Sequence, residues 1–339
     1  LDTIREVIRP DREQMRTYLL TAQKYALERG VTTVHEMVRR SHAPRVYREL
    51  DRAGDLALRV RLNYWSDHLD AVLETGLAPN HGSDRVRTGG IKTFVDGSIG
   101  SRTARLSDPY ADSPATDSDA DDGTNDEGRG EWVTPPDELA ELVERVDDAG
   151  LQMTMHAIGD VAIATALDAL DGTSGERHRI EHAEVLTDEL IERLAASDVV
   201  VSMQPNYLKW AGEGGLYDSR LGPSRRRASN RFGALADAGA RLAFGSDCMP
   251  LDPLFGIHQV VNAPDPAQRL GVTEAMRAYT AGGAYAGFDE HRLSTIEVGT
   301  CADLVALSGS PWDIDDIDAL DVDLTLVGGS VAYDGRSEQ

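Results

Sequence analysis

Lysine is nearly missing from this chain. Lys24, Lys92 and Lys209 are the only three among 34 basic residues, and the rest are arginines. Acidic residues number 58, giving a formal net charge of −24. A surface of that sign repels phosphate backbones and anionic lipid, so neither nucleic acid nor a membrane surface is an expected partner. An acidic, lysine-poor composition also reads as halophilic, a solvation strategy for a salty cytoplasm that screens self-repulsion. Cysteine is scarce too: Cys248 and Cys301 are the only ones. Two thiols build no disulfide framework, which fits a reducing, cytoplasmic setting. No apolar run reaches transmembrane length, and no signal-peptide pattern opens the chain. A Gly-x-Gly-x-x-Gly turn after the first strand is lacking, which argues against dinucleotide binding.

What is present is an alternation. Short β-branched or apolar runs bounded by turn residues fall at 32–37, 58–65, 90–97, 152–159, 178–184, 199–205 and 241–248. Helical stripes lie between them, among them Met15, Tyr18, Leu19, Ala22 and Ala26, then Leu139, Leu142, Val143 and Val146, then Leu190, Ile191 and Leu194. Strands alternating with helices predict a parallel sheet of the α/β class, and the best fit is a (β/α)8 TIM barrel. Such a barrel needs eight strands and seven are legible, so the first strand is expected to be missing. Residues 107–131 hold nine acidic side chains against Arg129 alone and read as a long acidic loop. From Arg292 onward the pattern turns all-β: TIEVG, ADLVALS, then VDLTLVGGSVAYDG with a hairpin at Gly328-Gly329. The expected division is a barrel domain at 1–290 and part of a small β-sandwich at 291–339.

In such a barrel the chemistry sits where strands end. The polar residues at those ends are Glu36, Lys92, Asp96, His156, His182, Gln204 and Asp247. Taken singly, each has an ordinary structural reading: a hydrogen-bonded histidine, a helix-capping aspartate, a paired lysine. Together, two imidazoles and a carboxylate converging at one end suit Zn2+ or a similar divalent metal. Lys92 is the odd member, because an ammonium repels a cation. Two resolutions are open: a Schiff base formed by a deprotonated amine, or a carbamate formed by addition of CO2. The carbamate gives all four residues a role; the Schiff base leaves the other three without one. In the run at 32–37, His35 and Glu36 alternate, and Glu36 is taken as the one at the mouth.

The stretches GVTTVHEM (30–37), GGIKTFVDGSIGSRTARL (89–106), GLQMTMHAIGDVAI (150–163), RIEHAE (179–184), VSMQP (201–205), FGSDCMPLDPL (244–254), AYTAGGAYAG (278–287) and IEVGTCADLVAL (296–307) resemble the amidohydrolase superfamily. The likeness is to its amidohydrolase-3 group, typified by the YtcJ-like hydrolases. It implies that Lys92 is a carboxylated, metal-bridging lysine, that His156 and His182 are metal ligands, and that Asp247 is both acid/base residue and metal contact. It further implies one or two divalent ions, Zn2+ being expected. The partner is then a small-molecule substrate, touched by Glu36, Asp96, Arg102 and Gln204; monomer and homo-oligomer both stay open. The family also places a His-x-His pair at the end of its first barrel strand, and this chain contains none. The chain is therefore expected to lack the family's N-terminal part, with weak or single-metal occupancy. The function expected is metal-dependent hydrolysis of an amide-like, non-peptide C–N bond. The alternatives are a non-catalytic or regulatory protein on the same scaffold and, less favoured, a Schiff-base aldolase using Lys92.

Overall fold

The computed structural model describes residues 9–39, 41–113, 128–174 and 177–337. Seven parallel strands lie side by side in chain order: β1 (Thr33–Val38), β2 (Arg59–Trp65), β3 (Val86–Phe94), β4 (Met153–Ala157), β5 (Arg179–His182), β6 (Val200–Met203) and β7 (Arg241–Phe244). The sheet curls into an incomplete barrel with β1 and β7 as its edges. Each strand falls within or close to its expected run. Residues 1–8, and residues 114–127 of the expected acidic loop, lie outside the described residues.

Helices fill the crossovers, and local sequence sets their ends. Helix α1 (Arg12–Leu27) opens on a capping box in which Asp11 accepts from the Gln14 amide and the Gln14 side chain accepts from the Asp11 amide. Then come α2 (Ala43–Ala53), α3 (Leu69–Glu74), α4 (Pro136–Asp148), α5 (Asp160–Leu170) and α6 (Asp188–Ala196). Helices α7 (Leu216–Arg227) and α8 (Phe232–Ala238) separate β6 from β7. After β7 follow α9 (Pro253–Val261), α10 (Val272–Arg277) and α11 (Gly283–Ala286). Leu139, Val143 and Val146 of α4 and Leu190, Ile191 and Leu194 of α6 are buried as their spacing requires. The α1 stripe differs at two positions: Tyr18 and Ala22 are exposed, while Met15, Leu19 and Ala26 pack inward.

The strands are two-faced. In β2, Val60 and Leu62 join the apolar core, whereas Arg59, Arg61 and Asn63 are buried and polar. Alternation sends the first set to the helices and the second into the barrel interior. Strand β3 starts at Val86, ahead of the expected position 90, and carries Gly89 and Gly90 between its neighbours. A Cβ on Gly89 would sit 2.3 Å from the Asn63 Oδ1, and one on Gly90 2.1 Å from the Gln152 carbonyl. The pair therefore lets three strands close up at the bulge where the β2–β3 register shifts.

A second sheet pairs β8 (Leu304–Leu307), β9 (Val322–Val327) and β10 (Ser330–Asp334) antiparallel, in the order β10-β9-β8. Gly328 and Gly329 make its tight turn with φ of +62° and +79°. The run TIEVG, expected as a strand, is a loop instead. The Thr300 hydroxyl bonds the carbonyls of Thr295 and Glu297, both at 2.9 Å, and bends the chain. Arg59 ties the small sheet to the barrel, donating to Asp303 at 2.7 Å and to Asp84 at 2.6 Å. Asp303 also accepts from the Gly328 amide at 2.7 Å. Removing the carboxylate leaves a buried guanidinium with only the outlying Asp84. Asp303→Ala is expected to lower unfolding free energy by about 3 kcal/mol, the low end for a broken buried pair, read by urea denaturation. A loss within about 0.5 kcal/mol, the size of an ordinary surface change, would show that Arg59 does not need this partner.

Candidate metal centre

At the carboxyl end of the sheet, β3 and β4 present Lys92, Phe94 and His156 to the interior, with Phe94 level with His156 in the pairing register. The His156 ring stacks on Phe94 at 4.4 Å between centroids and meets His182 edge-on, also at 4.4 Å. Alternation along β5 sends Arg179 and Glu181 inward, so His182 would face the helices. A left-handed backbone at His182 (φ +76°) and Ala183 (φ +48°) turns the imidazole back over the site. Such a conformation costs a β-carbon-bearing residue on the order of 1–3 kcal/mol, and strain of that kind gathers at working sites. Asp247 and Cys248, with φ of +48° and +56°, form a second left-handed corner directly after β7.

Each imidazole has one nitrogen occupied. His156 Nε2 lies 2.7 Å from the Gly97 carbonyl, and His182 Nδ1 lies 2.7 Å from the Gln204 Oε1. A carbonyl only accepts, so Nε2 of His156 carries the proton and Nδ1 keeps its lone pair. Burial pushes both rings to the neutral form, His182 down to about 3, with the nearby Lys92 adding to the effect. Burial likewise pushes the Lys92 ammonium down to about 8, against the pull of the Glu181 carboxylate. Glu181 itself pairs with Arg179 at 2.6 Å. Asp247 is exposed at the rim and accepts from the Tyr207 hydroxyl at 2.6 Å.

The donor set fits a divalent metal in kind: two neutral imidazoles, each with a lone pair free of protein partners among the described residues, beside a buried amine close to losing its proton. Asp247 stands farther off. Among the described residues, the group of three His or carboxylate atoms within 4.8 Å of one another is instead His258, Asp316 and Asp318, at the surface.

The remaining expected site residues divide. Gln204 meets His182. Asp96 is fully buried and accepts from the amides of Arg105 (2.8 Å), Ile158 (3.0 Å) and Gly159 (2.8 Å), so it joins the loops rather than facing substrate. Burial drives its carboxyl up to about 7 against the three amides. Arg102 is exposed and bidentate to Asp112, at 2.9 Å for each contact. Glu36 and His35 are reversed from expectation. His35 faces inward and accepts from Arg179 at 2.8 Å, while Glu36 takes the helix side and accepts from Tyr47 of α2 at 3.3 Å. The register explains this: Glu36 is level with core Leu62, and His35 with interior Arg61. Sequence reading missed Arg179, Glu181 and Tyr207. The charges in RIEHAE were a usable signal, because a strand covered on both faces is otherwise apolar.

The fold is an incomplete barrel of the amidohydrolase type. The model of the amidohydrolase family matches residues 1–333, and the chain belongs to that family. LONG AFTER FAR-RED 3 of Arabidopsis thaliana is 32% identical over 95% of this chain and 58% of its own length. The N-substituted formamide deformylase of Arthrobacter pascens is 24% identical over 90% of this chain and 58% of its own. The crystal structure of an uncharacterized metal-dependent hydrolase from Pyrococcus furiosus superposes with a TM-score of 0.77 at 33% identity, covering 88% of this chain and 61% of that one. The chain thus spans about three-fifths of the length of these relatives. No helix among the described residues is long and apolar enough to cross a membrane.

Asp96→Asn offers an amide where three N–H groups converge. Its NH2 must meet at least one of those donors, leaving buried donors unpaired at ~1–3 kcal/mol each. The variant is expected to unfold at lower denaturant concentration with an unchanged slope; an unshifted midpoint would refute the bracing role.

Proposed function

We propose that the whole protein is a metal-dependent hydrolase of an amide-like, non-peptide C–N bond in a small molecule. The observation that carries this is the His156–His182 pair, neutral, 4.4 Å apart and each with one nitrogen committed to a protein acceptor. His156 and His182 would hold the ion. Lys92 would join them as a carbamate, since its lowered pKa supplies the neutral amine that adds CO2. Zn2+ suits these nitrogen and oxygen donors. A bound divalent metal supplies carbonyl polarisation and a water acidic enough to react near neutral pH. Asp247, at the rim and held by Tyr207, takes the proton from the attacking water and returns it to the leaving nitrogen. The deformylase among the relatives supports the C–N assignment.

The test is a panel of small amides, measured on the product of the complete gene with metal supplied. Asp247→Asn should lower kcat by about 10²–10⁴-fold, the span of general acid–base catalysis. Equal turnover by both proteins would sink the assignment and favour the non-catalytic reading. Borohydride treatment with a carbonyl substrate should leave Lys92 unlabelled; a reduced adduct there would favour the Schiff base.

A further inference from the structure

The turn after β6 touches the site at several points. Pro205–Trp210 is a short 3-10 turn that begins directly after Gln204. The Asn206 amide donates to the Ser246 carbonyl at 2.8 Å, and the Tyr207 hydroxyl reaches Asp247 at 2.6 Å. Lys209 Nζ caps the Met249 carbonyl at 2.6 Å. These bonds fix the turn against the corner that carries Asp247. Gln204 is 5% exposed, and its two amide ends are committed separately. Its Nε2 donates to the Ser202 carbonyl at 3.2 Å, and its Oε1 faces His182 Nδ1 at 2.7 Å. The Ser202 bond settles which way the amide points, because a carbonyl cannot accept from Oε1. His182 Nδ1 must then carry the proton, and its lone pair lies at Nε2.

We propose that Gln204 is a positioning residue, not a substrate contact: it selects the Nδ1–H tautomer of His182 and so fixes Nε2 as the nitrogen offered to a ligand. The left-handed turn at His182 has removed the ring from strand alternation, so strand geometry no longer sets its direction. The hydrogen bond to Gln204 supplies that direction. The choice matters, because a neutral imidazole offers one lone pair only. The consequence for metal binding rests on the hydrolase reading; the tautomer does not.

The experiment is long-range 1H–15N NMR of the His182 ring in the product of the complete gene, treated with chelator, at a pH where the ring is neutral. Wild type should show Nδ1 protonated. Gln204→Leu removes the acceptor and should move the proton to Nε2, the form free histidine favours in water. Gln204→Glu keeps an acceptor and should restore Nδ1–H. If the leucine variant fails to fold, Gln204→Asn, too short to reach, takes its place with the same expected switch. Persistence of Nδ1–H in either variant, or Nε2–H in wild type, overturns the proposal. Co2+ titration of the same proteins then tests the metal consequence. Affinity should fall about 10–100-fold in the leucine or asparagine variant and hold in Gln204→Glu. A tautomer switch without Co2+ binding by wild type sinks the hydrolase reading while the positioning role stands. A switch with unchanged Co2+ affinity overturns the metal consequence.

Discussion

Burial of charge on the concave face of the sheet is the constraint on which this structure depends. A buried ion is tolerable only when paired or hydrogen-bonded. The interior therefore answers each arginine with an acid: Arg59 with Asp303, Arg61 with Asp289, Arg179 with Glu181. These pairs are not local. Asp289 and Asp303 come from the C-terminal part of the chain, so closing the interior also fixes where that part lies. The apolar face sets the helices in place, and the polar face sets the ends of the chain.

Two departures from regular backbone then make the site. A parallel sheet alone would point Glu181 inward and His182 outward. The left-handed corner at the end of β5 brings both to the interior, one after the other, and the corner after β7 sets Asp247 at the rim, against Tyr207. Asp96 holds the loop bearing Arg105 to the turn bearing Ile158 and Gly159, and that turn fixes the end of β4 beneath His156. The strain at the corners is held by hydrogen bonds from outside them. Asn206 grips Ser246, and the Asn230 amide donates to the Glu184 carbonyl at 2.7 Å.

The sequence pattern made much of this legible. Strand and helix order, the open count of seven and the meeting of Lys92, His156 and His182 follow from periodicity and strand-end placement. The Glu36–His35 choice was not legible, because alternation gives two phases and only the register with β2 picks one. Arg102 looked like a substrate contact because it follows a barrel strand; its bond to Asp112 depends on how a long loop folds back. Asp96 could not be told from a substrate contact, since the amides it accepts from belong to two distant segments. TIEVG had a strand's composition, but the hydroxyl of Thr300, just past it, reaches back to the carbonyls of Thr295 and Glu297 and bends it into a loop.

The neglect of lysine also acquires a physical meaning. Arginine stays charged under any burial this protein imposes, and its planar fork suits bidentate pairing. It is the right cation for the permanent interior pairs, and all of those named above use it. Lysine differs in that burial can take its proton away. Lys24 is 72% exposed in its side chain and Lys209 is exposed as well. Lys92 alone is buried, and its amine is pushed down to about 8. A chain that fills its interior with arginine has placed its one buried lysine beside two neutral imidazoles. An arginine there would keep a permanent positive charge and repel a cation; a lysine can become an uncharged nucleophile and, with CO2, an anion.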